Sequence, residues 1–242
     1  MLNVLAVDVG GSHVKILVSG RPPQEARRVD SGSQLGPDAM VAAVQELASG
    51  WSYDAVSIGF PGPVRADRPA REPWNLGHGW VGYDFEAAFA RPTRVVNDAA
   101  MQALGSYTGD SMLFLGLGTG LGSALVVGGL LLPLELGHLP YRKGRSYEDY
   151  LGEQGLERRG KRKWRRSVAD VCRRFLDAFL IDEIVLGGGN TRLLDELPPR
   201  CRRGDNANAF EGGFRLWRED ARRPSPDAPL HVGALFSDSP MK

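Results

Sequence analysis

Asp8-Val9-Gly10-Gly11-Ser12-His13-Val14-Lys15 sets a carboxylate, a hydroxyl and an ammonium around two consecutive glycines. In a tight turn of small residues the backbone N–H groups can point at an anion, and the missing Cβ lets phosphate oxygens reach them. Gly118-Thr119-Gly120-Leu121-Gly122 repeats the device in the second half of the chain. Either turn alone reads as an ordinary hairpin. Two in matched positions point to a phosphate held between them, with Gly10, Gly11, Ser12 and Lys15 on one side and Gly118, Thr119 and Gly120 on the other. Neither run fits the Walker pattern, so an ordinary P-loop NTPase is not expected. Asp8 is placed to hold a magnesium ion through water, because Mg²⁺ keeps several waters and takes one or two carboxylates.

Other candidate groups sit where apolar runs end. Asp98 follows the strand-like Thr93–Asn97, at the edge where α/β sheets place their ligands. A carboxylate there can take the proton of an alcohol during phosphoryl transfer, or it can merely cap the helix that begins at Ala99. Glu135 and His138 follow the strands of the second half. A carboxylate accepts two hydroxyls and an imidazole donates or accepts, so the pair suits a polyol, although a lone loop histidine commonly bonds only to backbone. Trp74 and Trp80 can stack on a sugar or be buried as packing.

The elements that must position these groups alternate between strand and helix. Val4–Val9 and His13–Val18 read as a hairpin, Asp38–Leu47 as an amphipathic helix, and Ala55–Gly59 as a strand ending in the forced turn Phe60-Pro61-Gly62-Pro63. A helix about Asp84–Ala90, the strand Thr93–Asn97 and a helix from Ala99 follow. The pattern then restarts with Leu113–Leu117, the glycine turn, Ser123–Val127, Gly128-Gly129 and Leu130–Leu132. Helices are predicted at about 168–180, near 192–197 and over 208–217, with a strand at Ile184–Leu186 before Gly187-Gly188-Gly189. The restart implies an internal duplication and two α/β lobes facing one another across a cleft. The division is expected near Thr108, with lobes at 1–108 and 109–220 and a loose Pro-, Ser- and Asp-rich tail at 221–242.

Composition limits the function. With 30 Lys+Arg against 29 Asp+Glu over 242 residues, the chain as a whole is neither a dedicated nucleic-acid binder nor an acidic solvating chain. Cys172 and Cys201 are too few for a disulfide framework and read as unpaired thiols of a reducing compartment. The N-terminus has no basic region and meets Asp8 too early for a signal peptide, and the apolar stretch 112–134 is broken by glycines and Pro133, so a soluble cytoplasmic protein without membrane contact is expected. Charge is nonetheless uneven. Between Arg142 and Arg174 twelve Lys/Arg face five acids, an excess of +7, densest at Arg158, Arg159, Lys161, Arg162, Lys163, Arg165 and Arg166. A linear polyanion needs such a track of cations, while a solvated helix face is the ordinary reading. Trp164 alone is too little aromatic interleaving for a nucleic-acid platform.

Five motifs in order, Asp8–Lys15, Asn97-Asp98-Ala99-Ala100, Leu115–Gly122, Glu135-Leu136-Gly137-His138 and Leu186–Asn190, resemble the sugar kinases of the ROK family (repressors, open reading frames, kinases). The resemblance spans about residues 3–218. Within it, the run from Glu135 through Tyr147–Gly152 to Lys163-Trp164, and Gly204–Phe210, are similar to polyphosphate glucokinases. The resemblance implies the two-lobed actin-like, ribonuclease H-like sugar kinase fold, and a glucokinase using Mg²⁺ with ATP, polyphosphate or both. It implies Asp98 as general base, Asn97, Glu135, His138 and Glu148 as sugar ligands, Gly188 and Gly189 as the adenosine-side turn, and a homodimer. Many members carry a cysteine-rich zinc loop after the Gly-His step. Leu139–Ser146 has no cysteine, so no zinc is expected. The segment Asn75–Trp80 resembles the family's asparagine–tryptophan segment with one extra residue.

Rival readings are a kinase for mannose or glucosamine, and a sugar- and phosphate-binding relative without chemistry. All the named functional positions are filled, which argues against the latter, while the connections at 67–72 and 105–111, short for the family, favour it. The repressor branch is not expected, since it places a helix-turn-helix before the first phosphate turn.

Overall fold

The computed structural model describes residues 2–205 and 207–218, so the tail expected at 221–242 lies outside the described residues. In chain order the elements are β1 (Val4–Val9), β2 (His13–Val18), β3 (Arg27–Asp30), α1 (Pro37–Leu47) and β4 (Ala55–Phe60). A small ribbon, β5 (Val64–Arg65) with β6 (Arg68–Pro69), leads to α2 (Phe85–Phe89), β7 (Thr93–Asn97) and α3 (Asp98–Ser106). The second half runs β8 (Ser111–Leu117), β9 (Leu121–Val127), β10 (Leu130–Leu134), β11 (Pro140–Arg142) and β12 (Arg145–Ser146). It continues with α4 (Glu148–Leu151), α5 (Glu153–Phe179), β13 (Glu183–Gly187), β14 (Cys201–Arg203) and α6 (Asn208–Arg215).

Two five-stranded sheets have the orders β3-β2-β1-β4-β7 and β10-β9-β8-β13-β14. In each, three strands meander antiparallel and two more add parallel to the first of them. The duplication expected from the repeated strand–turn–strand is therefore a duplication of whole sheets. Parallel central strands are covered on both faces, and β4 is accordingly buried at every position. One core gathers β1, β2, β4, α1 and α2 around Ile16, Ile58, Phe60 and Trp80. A second gathers β8, β13 and α5 around Trp164, Val168 and Phe175.

The helices α3 and α6, which follow the last strand of each sheet, cross one another between the two sheets. A Cβ built on Gly105 of α3 would fall 1.8 Å from Asn208 O, and one on Gly212 of α6 would fall 1.7 Å from Met101 O. Each helix also reaches the other half's sheet. Met101 and Leu104 pack with Phe114, Ala124 and Val126, while Phe210 packs on Ala6 and Leu17. Ser57 of β4 donates to Gly213 O at 2.6 Å and accepts from Trp217 Nε1 at 2.8 Å.

Three expectations need correction. The helix predicted near 192–197 is absent: a short 3-10 turn over Gly189–Leu193 gives way to extended backbone at Leu194. Arg165 takes the Leu193 carbonyl that a continuing helix would use. The helix expected from 168 begins at Glu153 and bends at Gly160, whose φ of 72° and ψ of 157° interrupt it. Finally, β3 and β14, absent from the sequence reading, are short half-exposed edge strands with too little apolar alternation to register.

Candidate active site

The C-terminal ends of β1, β4 and β7 lie side by side, with Asp8 in register with Gly59, Gly59 with Val96 and Phe60 with Asn97. Asp8 lies next to the end of one strand and Asp98 begins the helix that follows another, near enough for the Asp8 carboxylate to raise that of Asp98. Asn97, not Asp98, is the residue that precedes and caps α3. Its Oδ1 accepts from Ala99 N at 2.9 Å and Ala100 N at 3.2 Å, and its Nδ2 donates to Gly62 O at 3.2 Å. Asp98 Oδ1 accepts from Ala99 N at 2.7 Å. Burial pushes the Asp98 carboxyl up to about 7; the Asp8 and Glu135 carboxylates add to the rise, and the Ala99 N–H works against it. Asp8 is raised by burial as well, partly offset by the Lys15 ammonium 3.8 Å away.

The first glycine turn is braced from the neighbouring strand. Gly10 N donates to His13 O at 2.9 Å, and Ser31, just past β3, donates its hydroxyl to Gly10 O at 2.6 Å and its N–H to Ser12 O at 3.0 Å. Ser31 carried no signal in the sequence, because nothing local says that a loop serine lies beside a turn twenty residues earlier. Gly11 and Ser12 are exposed at the tip, and Asn75 lies over Gly11, its Cβ 3.4 Å from where a Gly11 Cβ would stand. Of the two tryptophans considered for stacking, Trp80 is fully buried beside Phe60 and Phe85, whereas Trp74 is 94% exposed.

The second turn gathers the remaining phosphate candidates. Glu148 Oε2 accepts from Leu121 N at 2.9 Å, and Thr119 O accepts from Glu153 N at 3.1 Å. Asn190 Nδ2 donates to Gly118 O at 3.3 Å. Gly188, at φ 83°, backs onto β8 so closely that a Cβ would meet Leu117 O at 2.5 Å. Gly118, Thr119, Gly120, Gly188, Gly189 and Glu148 thus form one group, which touches α3 through Gly122, where a Cβ would lie 2.8 Å from Ala99 Cβ. Glu148, expected at the sugar, has one carboxylate oxygen committed to holding this turn.

Glu135 precedes and His138 closes a 3-10 turn over Leu136–His138, both exposed, with His138 N donating to Glu135 O at 3.2 Å. Glu135 is close enough to Asp98 to raise its carboxyl. Three of the seven cations of α5 have partners on neighbouring elements or on their own helix. Arg165 donates to Asp195 Oδ1 at 2.7 Å, Arg159 lies 4.4 Å over the Tyr150 ring and donates to Ser167, and Arg158 donates to Asp149 O. Lys161, Arg162, Lys163 and Arg166 are exposed and enter no ion pair among the described residues.

Comparison with known proteins matches the ROK family profile over residues 4–145. The chain belongs to the ROK family. Among its ROK relatives, a bifunctional NanE/NanK enzyme from Brucella melitensis is 30% identical over 141 residues, 53% of this chain; the chain spans 27% of that enzyme's length. A polyphosphate glucokinase from Mycobacterium tuberculosis is 25% identical over 213 residues, 80% of each protein. The ROK fold is shared with the crystal structure of an inorganic polyphosphate/ATP-glucomannokinase from Arthrobacter sp. strain KM. That likeness has a TM-score of 0.70 at 23% identity and covers 88% of this chain and 96% of the other. The family profile takes in the first glycine turn, Asp98, the second turn, Glu135 and His138, but ends before Glu148 and the cations of α5. No described helix of this ROK protein is long and apolar enough to cross a membrane.

Proposed function

We propose that this chain is a cytoplasmic hexose kinase that transfers a phosphoryl group from ATP, polyphosphate or both to the 6-hydroxyl of glucose. Its two lobes would meet at 108, with Asp98 as the general base between them. The observation that carries this reading is the Asp98 carboxyl, desolvated and raised to about 7 beside Asp8 and Glu135. A base works best when its pKa lies near the operating pH, where it is both available and basic enough to take the proton. With Asn97 supplying the helix cap, Asp98 is the carboxylate offered to the acceptor. Asp98 receives the hydroxyl proton as the oxygen attacks phosphorus, and the backbone of the two glycine turns with Lys15 offsets the charge on the transferring group.

Asp8 suits a magnesium ion held through water. It is a desolvated carboxylate with one ammonium 3.8 Å away, and among the described residues no cluster of three or more His, Cys, Asp or Glu is arranged for direct ligation. Asp8 would hold Mg²⁺ through water, and the ion would supply charge neutralisation to the phosphate donor. Glu135 and His138 are assigned to sugar hydroxyls, with Asn97 contributing the second N–H of its amide and Glu148 its remaining oxygen. Gly188 and Gly189 are assigned to the nucleotide. The relatives, a polyphosphate glucokinase and a glucomannokinase among them, favour glucose and extend to mannose as acceptor.

The decisive experiment is Asp98→Asn. Phosphoryl transfer to glucose is expected to fall by at least about a thousandfold, in line with loss of a general base plus its charge, while glucose binding by calorimetry stays within a few-fold of the parent. Loss of binding together with activity would assign Asp98 to structure instead.

A further inference from the structure

The hairpin that carries the first glycine turn is closed in an unusual way. Gly10 N donates to His13 O at 2.9 Å, but the Gly10 carbonyl does not complete the pair with His13 N: it accepts the Ser31 hydroxyl at 2.6 Å. Residues 11–12 accordingly form a bend without the hydrogen bond of a regular two-residue hairpin turn. Ser31 stands one residue past the edge strand β3 and is 8% exposed. Its N–H donates to Ser12 O at 3.0 Å, so one residue holds two carbonyls of the turn. A trans peptide unit is planar, with its N–H opposite its C=O. Turning the Gly10 carbonyl toward Ser31 therefore turns the Gly11 N–H the other way. Holding the Ser12 carbonyl likewise sets the His13 N–H on the side away from Ser31, and that N–H is left without the Gly10 acceptor. Both groups border the exposed tip formed by Gly11 and Ser12.

We propose that Ser31 is a positioning residue of the phosphate donor's site, occupying the Gly10 carbonyl so that the Gly11 and His13 N–H groups stay open to phosphate oxygens. The ligand is the phosphate common to ATP and polyphosphate, and the inference rests on the kinase reading above. Without the hydroxyl, the Gly10 carbonyl turns to His13 N, the ordinary closure of a two-residue hairpin. Two donors are then withdrawn from the anion. The Ser31 hydroxyl makes no other hydrogen bond among the described residues, so the effect is confined to the donor side.

Ser31→Ala tests this, since it removes the hydroxyl and keeps the N–H that holds Ser12. Initial rates of parent and variant are measured with ATP and with polyphosphate. Two readouts need no turnover: calorimetric titration with tripolyphosphate, and amide hydrogen exchange of the ligand-free proteins. In the variant the donor KM is expected to rise, and tripolyphosphate binding to weaken, by at least about tenfold, as for loss of charge-assisted hydrogen bonds. The glucose KM is expected to stay within about twofold, and exchange of the His13 amide to slow by at least about tenfold as it gains an acceptor. An unchanged donor KM, an equal rise in KM for both substrates, or an unchanged His13 amide overturns the proposal. If the parent transfers phosphate to glucose from neither donor, yet Ser31→Ala weakens tripolyphosphate binding and slows the His13 amide, the kinase reading falls and the role of Ser31 stands. A parent that neither transfers phosphate nor binds tripolyphosphate overturns both.

Discussion

Asp98 shows how one side chain's surroundings set both chemistry and stability. Its carboxyl is raised because it is desolvated and because Asp8 and Glu135 are like charges nearby. The folded protein therefore binds a proton more tightly than the unfolded chain, whose ordinary value is 3.8. Stability contributed by this group is fully present below about pH 4 and is lost as pH rises through about 7. Asp98→Asn is expected to be more stable than the parent at pH 8 by roughly 1–3 kcal/mol, with the difference vanishing below the ordinary carboxylate range. Urea unfolding at both pH values measures it. The same titration governs rate: kcat/KM is expected to rise through an acidic limb near 7, because the base must be unprotonated. Magnesium beside Asp8 is expected to move that limb to lower pH, since a cation favours both carboxylates. The sequence marked Asp98 as base or helix cap and left both open. Asn97 Oδ1 takes Ala99 N and Ala100 N while Asp98 Oδ1 shares Ala99 N, so the cap falls mainly to Asn97, a division that adjacent strand-end residues do not reveal in sequence.

At the scale of elements, α5 and the second glycine turn are each held by contacts from distant sequence. The cation run of α5 was visible as composition, but composition cannot say which charges are spent. Arg165 is neutralised by Asp195, thirty residues on, whereas Arg159, over Tyr150 and bonded to Ser167, is tied down but keeps its charge. Lys161, Arg162, Lys163 and Arg166 are exposed and outside any ion pair among the described residues, the cations most open to a polyanion. Replacing these four by glutamine is expected to lower the initial rate with polyphosphate by at least about tenfold and to flatten its salt dependence, leaving the rate with ATP within about twofold. Parallel assays at two ionic strengths check this, and an equal fall with both donors would tie the run to structure. The turn itself rests on Glu148. Glu148→Gln keeps an acceptor for Leu121 N and is expected to cost under about 1 kcal/mol, whereas Glu148→Ala removes it and is expected to cost about 1–3 kcal/mol in thermal unfolding.

In the whole molecule, duplication produces two sheets of the same order and two helices, α3 and α6, packed backbone to backbone between them. Contact this close requires that Gly105 and Gly212 lack side chains. Gly105→Ala would drive a methyl into Asn208 O, a backbone atom that cannot swing aside. It is expected to cost on the order of 2–4 kcal/mol, against under about 0.5 kcal/mol for Gly118→Ala, where nothing lies within 4 Å. Chemical denaturation of the three proteins side by side measures the contrast. Because α3 begins at the proposed base and α6 packs on β1 and β4, the crossing joins the two sheets beside Asp98.

The sequence alone determined what local pattern encodes: the two strand–turn–strand units, the order of the motifs, and the carboxylate at the end of β7. Alternation, glycine turns and strand-end polar residues are short-range signals that survive without knowledge of the partner. The tertiary structure decided everything that depends on who faces whom. It set Ser31 against the first turn, Glu148 against the second and Asp195 on Arg165. It also laid α6 across the first sheet, where a glycine reads as flexibility in sequence and as contact in space. Hydrogen bonds and ion pairs are satisfied by proximity, and proximity between distant residues is fixed by packing.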